Sequence, residues 1–275
     1  MMTAALHRSY LFVPGNRPQR FDKACAAGAH AVIIDLEDAV PASEKDAARA
    51  ATLAWLSAEH PVIVRINGAE TAWFADDLAL CGLPGVAGVI LPKAEQPEQI
   101  ARVARAGAAA ILPLIESAVG FHHVERLARC PQVLRLVFGT VDFRLDLGID
   151  GERDELLYFR SQLVLISKLA GLQPPVDGVT LAIDDAAAID DDTRHGRRIG
   201  FGAKLCIHPL QVAAVNAAFL PSPAELAWAQ RVVAAADASH GAAVALDGKM
   251  IDRPVILQAR QTIADAAAIR AAQVA

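Results

Sequence analysis

Two carboxylates in the middle of the chain, Glu116 and Asp142, each follow an apolar run, residues 111–115 and 134–138. Apolar runs bounded by turn residues are typical of buried parallel strands, and parallel strands joined by a helix place their carboxyl ends side by side. We therefore expect the two carboxylates to meet at one end of a sheet. Neighbouring acids repel each other unless a cation or a proton lies between them. Mg²⁺ is the simplest occupant, because it takes one or two carboxylates together with water and substrate oxygens.

A third charged side chain, Arg65, lies within the apolar run 61–66. A buried charge without a partner costs several kcal/mol, so a strand that carries arginine must supply an anion. Beside two carboxylates that hold a metal ion, the guanidinium could bind an anionic group of a substrate, bidentately if that group is a carboxylate. The pattern thus predicts an acidic cation site that is faced by an arginine.

Four more polar residues, Glu37, Asp38, Lys93 and His208, follow predicted strands. Asp35 precedes Glu37 by two residues, and of this acidic triplet we expect that one acid orients metal-bound water and that another holds Arg65 or a helix terminus. Lys93 is expected to pair with one of these acids or to contact substrate. His208 fits a ligand contact and a structural histidine equally well.

Eight strand-like runs, each followed by a helical pattern, position these residues. The runs cover residues 9–13, 31–36, 61–66, 88–92, 111–115, 134–138, 177–181 and 203–207. This order predicts a (β/α)8 TIM barrel, whose site is built at the carboxyl ends of the strands. A doubly wound open sheet is the rival fold, but no glycine-rich dinucleotide loop follows the first run.

The rest of the chain is expected to be helical. We predict one helix over 118–129, a long one over 152–170, and a barrel domain over residues 1–220. A C-terminal extension, residues 221–275, should contain two helices separated by 241–252.

The composition limits the classes of partner and of compartment. The net charge of −5 provides no basic field for nucleic acid, and no apolar run approaches the roughly 20 residues of a membrane span. The amino terminus shows no secretory signal pattern, and the scattered cysteines indicate free thiols in a reducing cytoplasm. They are Cys25, Cys81, Cys130 and Cys206.

Eight segments in order along the chain carry a specific resemblance. They are RSYLFVPGNRPQRFDKA (8–24), DLEDAV (35–40), VRINGAETAWFADDL (64–78), LPKAE (91–95), LPLIESAVG (112–120), VFGTVDFRLDLGI (137–149), LLYFRSQLV (156–164) and KLCIHPLQV (204–212). With them the sequence resembles the citrate lyase β-subunit-like lyases of the HpcH/HpaI aldolase superfamily. The resemblance implies a (β/α)8 barrel that assembles as a homotrimer or as a dimer of trimers, a hexamer.

The resemblance also assigns roles to particular positions. It implies that Glu116 and Asp142 hold Mg²⁺ and that Arg65 binds substrate. It places Glu37 and Asp38 in an acidic loop near the metal. The substrate carboxylate is then cradled by backbone amides around three consecutive residues, Gly139, Thr140 and Val141.

A late segment, Asp247–Pro254 with the sequence DGKMIDRP, is similar to an element of the malyl-CoA and citramalyl-CoA lyases. There the aspartate that matches Asp252 reaches the site of a neighbouring subunit and acts as general acid and base. From the residues alone, Asp252 would be just an N-cap residue before a helix with proline in its first turn.

These features together lead to a functional hypothesis: a Mg²⁺-dependent carbon–carbon lyase that cleaves or forms a 3-hydroxy-3-carboxyacyl-CoA thioester, with a 2-oxo acid and an acyl-CoA as products. The alternatives are an aldolase acting on free hydroxy-oxo acids, a subunit of a lyase complex that acts on a carrier-protein thioester, and a catalytically inactive binding module. Arg17, with Arg20 and Lys23, could contact the CoA diphosphate, although basic residues on a helix are more often simply solvated.

Overall fold

The computed structural model describes residues 7–239 and 243–274. Contacts divide the chain into two compact units, one that extends to Asn216 and one from Ala217 onward. The expectations for the amino-terminal residues 1–6 and for residues 241 and 242 of the connecting segment lie outside the described residues.

Within the described part of the first unit, eight parallel strands close into a barrel in chain order, and β1 pairs with both β2 and β8. They are β1 Ser9–Pro14, β2 Ala31–Asp35, β3 Val62–Arg65, β4 Val86–Leu91, β5 Ile111–Ile115, β6 Val137–Phe138, β7 Val176–Asp177 and β8 Ala203–Cys206. The (β/α)8 barrel predicted from the sequence is confirmed.

Helices follow the strands and surround the barrel. They are α1 Phe21–Cys25, α2 Lys45–Trp55, α3 Phe74–Asp77, α4 Pro97–Arg105, α5 Ala118–His122, α6 Val124–Ala128, α7 Thr140–Leu147, α8 Asp154–Leu169, α9 Ala186–Ile199 and α10 Pro209–Ala218. Three short 3₁₀ turns, Pro18–Arg20, Ala42–Glu44 and Leu78–Leu80, add to the connections in the part of the chain described. No helix among the described residues is long and apolar enough to cross a lipid bilayer.

Alternate side chains of the strands fill the inside of the barrel. Ile33, Ile63, Ile90, Leu112 and Leu205 belong to one buried cluster there. Because side chains alternate between the two faces of a strand, their neighbours in sequence pack outward against the helices. A filled interior leaves the carboxyl ends of the strands as the place for a site.

The sixth strand is shorter than predicted, since β6 covers Val137–Phe138 and not residues 134–138. The cause is Arg135, which is fully buried and donates hydrogen bonds to the carbonyls of Pro174 and His7 and to the Tyr10 hydroxyl. Its guanidinium thus pairs with loop carbonyls on the amino-terminal side of the strand. The regular part of β6 therefore begins only at Val137, two residues after this charged side chain.

Two other predicted elements differ from those observed. The strand predicted over 177–181 ends at Asp177, because the following carbonyls of Thr180 and Ala182 accept hydrogen bonds from the Gln211 side chain. The helix predicted over 118–129 is two helices, α5 and α6, which meet at His123.

The second unit contains α11, Pro223–Ala238, and α12, Arg253–Val274, as the two helices predicted there. Between them lies an unpredicted hairpin of β9, Val244–Leu246, and β10, Lys249–Ile251. Its turn places Asp247 and Gly248 at φ 52° and 72°. An Asp-Gly pair is a strong hairpin signal in a sequence, so this element could have been predicted.

Candidate active site

A pocket of 370 Å³ opens at the carboxyl ends of the barrel strands. Four acids, Asp35, Asp38, Glu116 and Asp142, line it together with a single arginine, Arg65. Residues from strands two, three, five and six of the sequence prediction are thus brought together, as a barrel requires. Most of the remaining lining residues are apolar, and Thr140 adds a hydroxyl group.

Of the acidic triplet expected to hold Arg65, the first member, Asp35, is the one that does so. The two are direct partners in the β2–β3 ladder. Nε and Nη2 of Arg65 donate to the two oxygens of Asp35 at 2.7 and 2.6 Å. The same oxygens also accept the amides of Glu37 and Ala39 at 2.9 and 3.1 Å. Asp35 therefore fixes both the guanidinium and the start of the acidic segment, residues 35–39.

The remaining edge of Arg65 faces more negative charge. Nη1 lies 2.9 Å from Oε2 of Glu37 and 3.9 Å from Oδ2 of Asp38, and the guanidinium carbon lies 4.7 Å from the centre of the Phe12 ring. Burial by itself would lower the pKa of Arg65, but Asp35, Glu37 and Asp38 raise it overall. The Nε–Nη2 edge is occupied by Asp35, and the Nη1 side, which Glu37 approaches, is the part of the guanidinium that Asp35 leaves open.

Lys93 lies between Glu37, in the acidic segment after β2, and Glu116, which follows β5. Its backbone amide donates to Oε1 of Glu116 at 2.7 Å, and its Nζ lies 3.7 Å from Oε1 of Glu37. The residue adopts φ 46°, in the left-handed region that non-glycine residues rarely occupy, and such strain concentrates at functional sites. Burial lowers the pKa of Lys93, but the charges of Glu37, Asp38, Glu116 and Asp142 raise it overall.

Glu116 is 4% exposed, which makes its ionised form unfavourable without a counter-charge. Burial first, and then the charges of Glu37 and Asp142, raise its pKa to about 8, against the lowering effect of the Lys93 amide. Glu37 is affected in the same way, since burial raises its pKa to about 7 although Arg65 opposes the shift. Its Oε2 atom is buried and has no hydrogen bond, because the nearby Arg65 ion pair lacks hydrogen-bond geometry.

These carboxyl groups fit a hard divalent cation. In the described part of the chain no three His, Cys, Asp or Glu side chains converge to ligate a metal by themselves. Mg²⁺ does not need such a set, because it usually combines one or two carboxylates with water and substrate oxygens. The two acids Glu116 and Asp142 line one pocket, and the charge of Asp142 raises the pKa of Glu116, so a cation between them would relieve that repulsion.

The start of α7 forms the wall beside Glu116. The Gly139 amide donates to the carbonyl of Ile115 at 3.0 Å, so of the amides around positions 139–141 this one already has a partner. The amides of Thr140 and Val141 lie in the first turn of the helix, where N–H groups have no partner within the helix. They suit an anionic group.

Gly139 also has to be glycine for a steric reason. A Cβ atom there would lie 2.6 Å from both Cβ and Oε2 of Glu116. Replacing Gly139 by alanine should therefore displace the Glu116 carboxylate and weaken Mn²⁺ binding, measured by electron paramagnetic resonance titration, by about 10- to 100-fold. Gly68→Ala is the matched control, because the added methyl group meets its nearest atom only at 3.9 Å. Equal Mn²⁺ affinities in the two variants would contradict this role of Gly139.

The remaining residues that we predicted to contact substrate or CoA do not line the pocket described above. Nδ1 of His208 accepts the Leu210 amide at 3.3 Å at the start of α10, which favours the structural interpretation of this histidine. Arg17, Arg20 and Lys23 are exposed around the 3₁₀ turn and α1, and nothing in their surroundings marks a diphosphate site.

Asp252 belongs to the second unit and is described within it. It directly follows β10, its side chain is exposed, and its carbonyl accepts the Ile256 amide at 3.0 Å as α12 begins. This is the N-cap position expected from the residues alone. Within the described residues no hydrogen bond or ion pair restrains its carboxylate.

Comparison with known proteins identifies the family to which the chain belongs. The model of the HpcH/HpaI aldolase/citrate lyase family matches residues 8–209. A citrate lyase subunit beta-like protein of Deinococcus radiodurans is 38% identical, over 93% of this chain and 96% of its own length. A (3S)-malyl-CoA thioesterase of Cereibacter sphaeroides is 36% identical, over 96% of both chains.

A solved structure agrees with these relatives. The chain is similar to CitE from Mycobacterium tuberculosis, crystallised with magnesium, acetoacetate and coenzyme A, with a TM-score of 0.86 and 35% identity over 96% of this chain and 99% of that one. The family resemblance seen in the sequence is therefore confirmed: the chain belongs to the HpcH/HpaI aldolase/citrate lyase family.

Proposed function

We propose that this protein is a Mg²⁺-dependent carbon–carbon lyase that cleaves a 3-hydroxy-3-carboxyacyl-CoA thioester into a 2-oxo acid and an acyl-CoA, or forms it in reverse. The observation that carries the proposal is the pocket in which Glu116 and Asp142 face Arg65. The relative from Mycobacterium tuberculosis, which was crystallised with magnesium, acetoacetate and coenzyme A, supports the same choice of ligands.

Each side chain has a role in this reaction. Glu116 and Asp142 would hold Mg²⁺, which supplies Lewis-acid stabilisation of negative charge when it is bound. The amides of Thr140 and Val141 would receive the substrate carboxylate, and the free edge of Arg65 would stabilise the oxyanion that develops.

Two protons move in the cleavage direction. The acidic segment takes the proton of the substrate hydroxyl, and Glu37, with its pKa of about 7, is suited to exchange a proton near neutral pH. The carbon–carbon bond then breaks, and its electron pair passes to the acyl thioester as an enolate. Asp252 would return a proton to that carbon. We propose that it does so from a neighbouring subunit of a homo-oligomer.

Cleavage assays test the reaction directly. Malyl-CoA, citramalyl-CoA and citryl-CoA should be compared as substrates with Mg²⁺ and with EDTA, and at least one should be cleaved only when the metal is present. Turnover that survives EDTA would remove the metal from the proposal. Cleavage of free hydroxy-oxo acids alone would favour the aldolase alternative. If no CoA thioester were cleaved by the protein alone but a partner protein restored activity, the result would favour a subunit of a lyase complex.

Asp252→Asn should lower turnover by about 10²- to 10⁴-fold, the usual contribution of a general acid or base. Mn²⁺ affinity should stay unchanged, because the proposed ligands belong to the barrel. Asp247→Asn in the same hairpin is the control, since that exposed aspartate pairs with Arg231. If Asp252→Asn turned over substrate at the rate of the control, Asp252 would have no place in the mechanism.

A further inference from the structure

Lys45, in the first turn of α2, is a nearly buried lysine directly behind the acidic segment, residues 35–39. It is only 7% exposed. Its Nζ donates hydrogen bonds of 2.7 Å to the carbonyls of both Leu36 and Glu37. Among the described residues no carboxylate lies close enough to form an ion pair with it. This ammonium therefore binds backbone where a buried lysine would ordinarily bind an acid.

The charge of Lys45 depends on the acidic segment for its stability. Burial lowers its pKa, and the field of Asp35, Glu37 and Asp38 opposes that shift. The ring of Trp73, from the loop after β3, has its centre 5.2 Å from Nζ and covers it with a favourable cation–π contact. Lysine and acidic segment thus stabilise each other, and the contact is screened from water.

The backbone of the acidic segment is therefore held from two sides, by Asp35 and by Lys45. Asp35 accepts the amides of Glu37 and Ala39, and Lys45 binds the carbonyls of Leu36 and Glu37. Between these contacts the Glu37 carboxylate lies 2.9 Å from Nη1 of Arg65 and 3.7 Å from Nζ of Lys93. A small rotation of this segment would move the carboxylate that sets the free edge of Arg65.

One turn later, α2 carries a second cation that offers a contrast. Arg49 donates to Oδ1 of Asp77 at 2.7 Å, and Oδ2 of Asp77 accepts the amide and side chain of Asn67 at 2.8 and 2.6 Å. Lys45 and Arg49 are four residues apart and so share a helix face. Arg49 holds the loop after β3, whereas Lys45 holds the acidic segment.

We propose that Lys45 is a positioning residue of the active site: by binding the carbonyls of Leu36 and Glu37 it directs the Glu37 carboxylate onto Nη1 of Arg65, beside the edge of the guanidinium that Asp35 leaves open. The inference rests on the proposed lyase function for its kinetic consequence. Its structural consequence, the order of the acidic segment, stands apart from any activity.

The kinetic test uses Lys45→Met, which keeps the volume and removes the donors. We expect kcat to fall by about 100-fold, the effect of misplacing a reacting group by about 1 Å. KM and Mn²⁺ affinity should change less than about threefold, because Glu116 and Asp142 belong to other elements, the end of β5 and the first turn of α7. Arg49→Met is the matched control, and its kcat should stay within about threefold of the wild type. Equal losses of kcat in the two variants would overturn the proposal, since they would show a general effect of α2 packing.

A second measurement keeps the inference testable if the wild type cleaves no CoA thioester. Hydrogen exchange, followed by mass spectrometry of the peptide spanning residues 35–40, should become at least tenfold faster in Lys45→Met and should stay at the wild-type rate in Arg49→Met. Unchanged exchange of that peptide in Lys45→Met would overturn the proposal. Faster exchange without wild-type activity would support Lys45 as the anchor of this segment and would reject only the lyase function.

Discussion

Glu116→Gln is expected to reduce turnover by about 10³-fold or more while the protein remains folded. Glutamine keeps the shape of the side chain and the acceptor for the Lys93 amide, but it cannot supply an anionic ligand. Metal stabilisation of the transition state is worth several kcal/mol, and each 1.36 kcal/mol is a factor of ten in rate. Steady-state kinetics at saturating Mg²⁺ measure the loss. Glu125→Gln, which changes an exposed acid of α6, is the control.

The same variant should change how the stability of the metal-free protein depends on pH. The pKa of Glu116 rises from 4.5 to about 8 on folding, so the folded state binds the proton more tightly than the unfolded state does. This stabilising contribution is complete below pH 4.5 and is lost as the pH rises through about 8. Thermal unfolding in EDTA should therefore show a wild-type melting temperature that falls over this range, with a shallower fall in Glu116→Gln. Parallel curves would contradict the buried, protonated state of Glu116.

Arg65→Lys is expected to lower kcat/KM by about 10²- to 10³-fold even though it conserves the charge. A lysine cannot donate to both oxygens of Asp35 and still present a second edge to substrate, so the geometry and not the charge is lost. Asp35 keeps the hydrogen bonds from its two backbone amides but loses the paired Nε and Nη2 donors of the guanidinium. This loss should lower the free energy of unfolding by about 1–3 kcal/mol. The measurements are kcat/KM and urea unfolding.

The matched control for that variant is Arg105→Lys, on the exposed end of α4. It should alter neither quantity. If Arg65→Lys behaved like Arg105→Lys, the arginine would contribute only its charge, and the paired arrangement with Asp35 would have no catalytic meaning.

The barrel and the meeting of Glu116 with Asp142 could be predicted because both follow from local pattern. Apolar runs separated by helical stretches give the strand order, and the strand order places the carboxyl ends of the strands at one pocket. An arginine within an apolar strand indicated a buried ionic partner, although the pattern did not identify which acid it was.

Asp35 and Lys45 could not be predicted in the same way, because their roles depend on register and on tertiary packing. Asp35 matters because it lies directly opposite Arg65 in the ladder, and register between strands 30 residues apart is not visible in a single sequence. Lys45 resembles any polar residue at the start of a helix until Trp73 is seen to cover it. The short β6 also required three-dimensional information, because Arg135 pairs with Pro174, 39 residues away.

Crystallography with Mn²⁺ in place of Mg²⁺, in the presence of a 2-oxo acid, tests the central claim most directly. The anomalous signal of manganese identifies the cation without reference to neighbouring electron density. We predict one peak at the carboxyl end of the barrel, bonded at about 2.1 Å to oxygens of both Glu116 and Asp142. A peak bonded to neither carboxylate, or no peak in the pocket, would contradict the proposed site and the lyase chemistry built on it.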